Sequence, residues 1–251
     1  DAYASWVEAD RLLTVSIARG RIEEGGAAEF VVADVIAPPD IEAVGSANIS
    51  TADSTGKQID IGKLATSAID AGALSMMSWS LSRGTAGVLN DASLAFVVSG
   101  GIGSMACIKV VLPEVVSAAH GWRMGSNHTE RAQFVLPSAN AAVHNTSWDA
   151  ASRTLLIITD SSTSITEGDT VKLLIRDLTT PSSMFGEYNV GVASYSSATA
   201  DASRLIDGPS SVTGAAVSAG SLGSLSWETA TDQPSMISSV GVTMSTTGRW
   251  Y

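Results

Sequence analysis

Cysteine, lysine and histidine are scarce in this chain of 251 residues, and long apolar runs are missing. One cysteine, Cys107, rules out a disulfide scaffold or a cysteine-based metal site by count alone. Within Met105-Ala106-Cys107-Ile108-Lys109 it reads as a small core residue, with a disulfide to a partner outside the chain as the alternative. Four lysines (Lys57, Lys63, Lys109, Lys172) and a formal charge of −11 leave no basic patch to neutralise phosphates, which argues against nucleic acid. No stretch reaches the 18 or so apolar residues of a membrane helix, so no membrane span is expected. The three histidines, His120, His128 and His144, show no metal-ligand spacing. No Gly-x-Ser-x-Gly elbow accompanies them, so no enzyme, metal or cofactor is expected.

What the chain does contain is most of itself twice. Ser5-Trp6, Arg11 and Leu13 return as Ser147-Trp148, Arg153 and Leu155, an offset of 142. Ile22-Glu23-Glu24-Gly25, Asp34-Val35 and Pro38 return as Ile165-Thr166-Glu167-Gly168, Asp177-Leu178 and Pro181, an offset of 143. Ile59-Asp60 returns as Ile206-Asp207 at 147, and Ala71-Gly72-Ala73-Leu74 and Trp79 return as Ala219-Gly220-Ser221-Leu222 and Trp227 at 148. An offset that only grows is what loop insertions produce when strands keep their order. The repeat implies a complete unit over residues 71–214, the later part of another over 1–70, and the start of a third over 215–251. Residues 104–142 are present once, and this register predicts a piece of a longer array.

Local pattern points to short strands: Leu12–Ile17, Glu29–Val35, Leu94–Ser99, Cys107–Leu112, Gln133–Leu136, Thr154–Thr159, Thr170–Arg176, Tyr188–Tyr195 and Val240–Met244. Val171, Leu173 and Ile175 alternate with Lys172, Leu174 and Arg176, as in a strand with one buried face. Helical period is scarce, with Ala132–Val135 and Val115–Ala119 offering at most a turn each. The expected fold is all-β: immunoglobulin-like antiparallel β-sandwiches in tandem. The equivalent pairs Trp6/Trp148 and Trp79/Trp227 read as core or inter-unit anchors, and Gly25-Gly26 and Gly168-Asp169 as the same hairpin turn.

Other motifs read as structure. Val97-Val98-Ser99-Gly100-Gly101-Ile102-Gly103-Ser104-Met105-Ala106 resembles a dinucleotide loop, but the β-run Cys107–Leu112 follows where a helix would have to begin, so a hairpin turn is expected. The repeated pairs Asp34/Asp177 and Asp60/Asp207 read as turn aspartates, with calcium at unit junctions as the functional alternative. Three sequons place candidate N-glycans on Asn48, Asn127 and Asn145, which favours an exported protein.

The order Ser147-Trp148, Arg153-Thr154-Leu155, Ile165-Thr166-Glu167-Gly168-Asp169-Thr170-Val171, Pro181 and Ile206-Asp207-Gly208-Pro209 resembles tandem immunoglobulin-like β-sandwich repeats of large secreted surface and fibre proteins of algae, other protists and some bacteria. The first copy departs at the last motif, reading Ile59-Asp60-Ile61-Gly62. The resemblance implies a non-enzymatic extracellular structural protein that builds or decorates a fibre, sheath or cell-surface layer. Its expected partners are copies of itself or neighbouring repeats, joined head to tail. The rival expectation is a carbohydrate- or surface-binding adhesin module with Trp122 or Trp250 as its stacking platform.

Overall fold

Strands of two to ten residues, separated by glycine-, serine- and aspartate-rich turns, make up nearly all the regular structure. The computed structural model describes residues 2–7, 9–17, 19, 22–33, 35–38, 41–115, 121–125, 131–230 and 239–246. Among them are sixteen strands and one short 3-10 turn, Ala202–Arg204, so the protein is all-β. No helix among the described residues is long and apolar enough to cross a membrane. His120, His128, Asn127, Asp34 and Trp250 lie outside the described residues, as does most of Val115–Ala119.

Contacts divide the chain into two units, Asp1–Ala37 and Pro38–Tyr251. The first holds one antiparallel hairpin, β1 (Ala2–Val7) with β2 (Leu12–Ile17). The second begins with another hairpin, β3 (Ser46–Ala52) with β4 (Gln58–Ala65), and contains two five-stranded sheets. One sheet is built from β5 (Ser75–Leu81), β6 (Leu89–Val97), β8 (Arg123–Met124), β9 (Ala132–Leu136) and β12 (Thr170–Thr179). Its order is β5-β6-β12, with β12 pairing both β8 and β9 on its far edge. The other has the order β10-β11-β7-β13-β14, built from β7 (Cys107–Val111), β10 (Val143–Asp149), β11 (Thr154–Thr159), β13 (Tyr188–Tyr195) and β14 (Leu205–Gly214). A last hairpin joins β15 (Leu222–Thr229) to β16 (Val240–Thr246).

Period-two alternation decides which side chains meet between the two sheets. Leu94 and Phe96 of β6 and Leu173 and Ile175 of β12 come from one sheet; Ile108, Val110, Ile157 and Val190 come from the other. All eight are buried in one hydrophobic cluster. Cys107 is buried in a small cluster with Ala193 and Tyr195, and its burial pushes the thiol up to about 11. The segment Ala132–Val135 is strand, paired with β12.

Two expectations about turns need correction. The glycine-rich stretch after β6 is no hairpin turn, because β6 and β7 lie in different sheets and the chain crosses between them there. Ile102 inside it pairs with Ile165 and is buried, so the crossover is pinned to the core. Gly168 likewise lies on a crossover, from β11 in one sheet to β12 in the other. The conformation of that turn does recur. Gly25 and Gly168 have φ of +74° and +82°, a region open to glycine. The Gly26 amide donates to Glu23 O at 2.9 Å, as the Asp169 amide donates to Thr166 O at 3.1 Å.

Candidate functional site

The three hairpins outside the two sheets repeat three hairpins within them, residue by residue. In β1–β2, Trp6 faces Leu13 and Ser5 faces Thr14; in β10–β11, Trp148 faces Leu155 and Ser147 faces Leu156. The turns agree as well, with the unusual positive φ falling on Arg11 (51°) and on Arg153 (56°). In β15–β16, Trp227 faces Val242 and Ser226 faces Thr243, as Trp79 faces Leu94 and Ser78 faces Ala95 in β5–β6. Both hairpins carry a bulge at the same place, between Gly223 and Ser226 and between Ser75 and Ser78, with positive φ on Ser224 (49°) and Met76 (47°).

The pair β3–β4 repeats β13–β14 and shows where the offset grows. The loop between β3 and β4 has five residues (53–57) and that between β13 and β14 has nine (196–204); 9 − 5 = 4 takes the offset from 143 to 147. One further residue enters at the β13–β14 bulge between Val192 and Ser194, where β14 advances from Asp207 to Ser210, and the offset reaches 148. A hydroxyl–carboxylate pair recurs at the matched position. Thr51 Oγ1 donates to Asp60 Oδ2 at 2.9 Å, and the Asp60 amide donates back at 3.1 Å. Ser194 Oγ donates to Asp207 Oδ2 at 3.2 Å, and the Asp207 amide donates back at 3.1 Å.

What differs between the copies is burial. Trp79 is 7% exposed and Trp227 68%; Leu94 is 0% and Val242 55%. Val240 and Met244 are exposed where their equivalents Ala92 and Phe96 are buried, and Leu222 is exposed where Leu74 is buried. In the other copy Leu64 and Ile59 are exposed, against buried Val212 and Ile206. Covering an aliphatic or aromatic side chain of this size is worth about 1.5–3 kcal/mol. Alternating apolar faces left in water on two-stranded ribbons therefore carry a standing drive to be covered. Trp6 and Trp148 split in the same way, Trp6 exposed and Trp148 packed against the core.

The expected strand Glu29–Val35 does not form in the described residues. Its equivalent, β12, is held by β6 on one side and by β8 and β9 on the other. Among the described residues nothing equivalent is hydrogen-bonded to residues 29–33, and without neighbours a ladder has no partners to satisfy. Phe30 is 57% exposed where Leu173 is 0%, and Val32 and Val35 are exposed where Ile175 and Leu178 are buried.

The aspartates behave as structural groups. Asp207 is fully buried and accepts from Ser99 Oγ at 2.6 Å, Ser194 Oγ at 3.2 Å and the Gly100 amide at 3.4 Å. Gly72 bonds the backbone on both sides of it, and a Cβ there would fall 1.9 Å from Ser99 Oγ. Turn aspartates cap their own backbone. The Ser152 hydroxyl and then the Ala151 amide hold the Asp149 carboxyl below its ordinary value, as the Ser162 amide and then its hydroxyl do for Asp160. His144 is exposed, 4.0 Å from Asp160. Among the described residues no group of three His, Cys, Asp or Glu side chains is placed to hold a metal ion.

Asn48 on β3 and Asn145 on β10 are exposed. Trp122 cannot serve as a stacking platform for sugars: it is 3% exposed, with Phe185 edge-on at 5.9 Å and Tyr188 at 5.5 Å. Its burial follows from this aromatic cluster, which single-copy sequence could not reveal. The chain matches no protein-family model and no curated protein.

Proposed function

We propose that this is a non-enzymatic extracellular structural repeat protein that builds or decorates a fibre, sheath or cell-surface layer by head-to-tail assembly. The observation carrying this reading is that three hairpins copy strand pairs of the two sheets in register yet leave exposed the faces that their copies bury. Exposed alternating faces and unpaired strand edges are self-association surfaces. A repeated set in one chain makes the contact heterologous, so it does not close as a two-fold dimer and propagates into a filament wherever the rotation between copies does not close a ring. Exposed sequons at Asn48 and Asn145 suit glycosylation outside the cell.

The finer fold reading is a tandem of immunoglobulin-like sandwiches. The order β5-β6-β12-β9 opposite β7-β13-β14 parallels the A-B-E-D and C-F-G sheets of that fold. The pair β10–β11 extends the edge at β7, as added strands do in variable domains. The chain order departs from theirs, because β9 precedes this pair.

Sedimentation velocity over a range of concentrations tests the assembly. The expected result is a sedimentation coefficient that rises with concentration for the wild type and stays at the monomer value for Val242→Lys, which charges an exposed face without touching the two-sheet core. A wild type that remains monomeric throughout would end the reading.

A further inference from the structure

We propose that residues 27–33 are a latent strand, and that they fold by pairing antiparallel with β16 of a second copy of this chain, Phe30 opposite Val242. The inference rests on the head-to-tail reading above and specifies its register.

The register comes from β12 and β6, the equivalents of the two segments. There Leu173 lies opposite Leu94, Ile175 opposite Ala92 and Val171 opposite Phe96. Subtracting 143 from one side and adding 148 to the other gives Phe30 opposite Val242, Val32 opposite Val240 and Ala28 opposite Met244. Three observations meet on this pairing. The first is that β16 pairs with β15 on one edge and belongs to a two-stranded sheet, whereas its equivalent β6 is flanked on both sides. The second is that residues 27–33 are exposed, irregular and apolar, although their equivalents form a central strand of the core.

The third is size. Across the proposed pair, Leu and Leu become Phe and Val, Ile and Ala become Val and Val, and Val and Phe become Ala and Met. In the first two pairs a gain on one strand faces a loss on the other, the compensation that a shared core requires. The outward position between the first and third pairs places Glu29 opposite Thr243, equivalents of Lys172 and Ala95. A second copy is therefore the occupant that matches in register and in face, and in volume at two of the three inward pairs.

Mixing two single variants tests this without disturbing the inward residues. Opposed residues in an antiparallel pair have Cα atoms about 4.5–5.5 Å apart, within the reach of a disulfide. Residues two positions out of register lie about 7–8 Å apart, beyond it. Glu29→Cys protein mixed with Thr243→Cys protein and treated with oxidised glutathione should give a covalent heterodimer. Glu29→Cys mixed with Ser245→Cys should not. Cys107 stays silent, being buried with its thiol pushed up to about 11.

Equal cross-linking to Thr243→Cys and Ser245→Cys would overturn the register. No heterodimer from the Glu29→Cys and Thr243→Cys mixture, when the wild type and both variants still assemble in the ultracentrifuge, would overturn the pairing while leaving the assembly reading intact. A Glu29→Cys/Thr243→Cys double variant that oxidises within single chains would overturn the choice of a second copy.

Discussion

Leu173→Ala lowers the unfolding free energy by about 3 kcal/mol, whereas Phe30→Ala, at the equivalent position, changes it by less than about 0.5 kcal/mol in dilute protein. Leu173 is 0% exposed between β6 and β9, so truncation removes contacts on a strand flanked on both sides and leaves a void. Phe30 is 57% exposed and occupies no ladder among the described residues, so the same truncation removes little that the dilute chain has buried. Denaturant melts of both variants against wild type check the contrast. Equal losses would mean that residues 27–33 are already packed in the isolated chain, and the account of an uncovered copy would fail. The contrast has a second half. Phe30→Ala should weaken assembly even though it spares stability, because its side chain is used only when a partner covers it.

Asp207→Ala costs about 3 kcal/mol, and Asp60→Ala less than about 0.5 kcal/mol. Removing the Asp207 carboxylate strands the Ser99 and Ser194 hydroxyls and the Gly100 amide, all in a part-buried or buried setting. Buried donors left without an acceptor lose their hydration with nothing in return. Asp60 makes the same reciprocal pair with Thr51, but in the open, where water replaces it. The two aspartates thus share a motif and differ in what covers it. Thermal or denaturant melts measure both. An Asp207→Ala protein as stable as wild type would show that the cluster is dispensable to the join between β14 and the segment around Gly72 that leads into β5.

Repetition makes the hairpins legible in the amino-acid sequence. Trp6 and Trp148, Asp60 and Asp207, and Trp79 and Trp227 mark matched positions, and the strand registers follow them through shared bulges and turns. Alternation along Val171, Leu173 and Ile175 is equally legible, since one face of β12 is buried. Long-range choices are hidden. Pattern alone gives a strand for Glu29–Val35 as readily as for Thr170–Arg176, because it reports on side chains and not on whether a neighbouring strand is there to complete the ladder. The turns at Gly100 and Gly168 have local geometry that a hairpin would also use; only the partition of β6, β7, β11 and β12 between two sheets makes them crossovers. Trp122 has no copy to compare with, and its burial depends on Phe185 and Tyr188, more than sixty residues away.

Amide hydrogen exchange followed as a function of protein concentration tests the central claim most directly. Exchange rates report whether each amide is hydrogen-bonded in the populated state. If the exposed faces are completed by a second copy, amides of residues 27–33 and 240–245 gain protection together as concentration rises. In Val242→Lys neither segment gains protection beyond what the β15–β16 ladder already gives, while amides of β6 and β12 remain slow at every concentration. Protection of residues 27–33 that is already complete in the dilute monomer, or that fails to appear in assembled protein, would contradict the account.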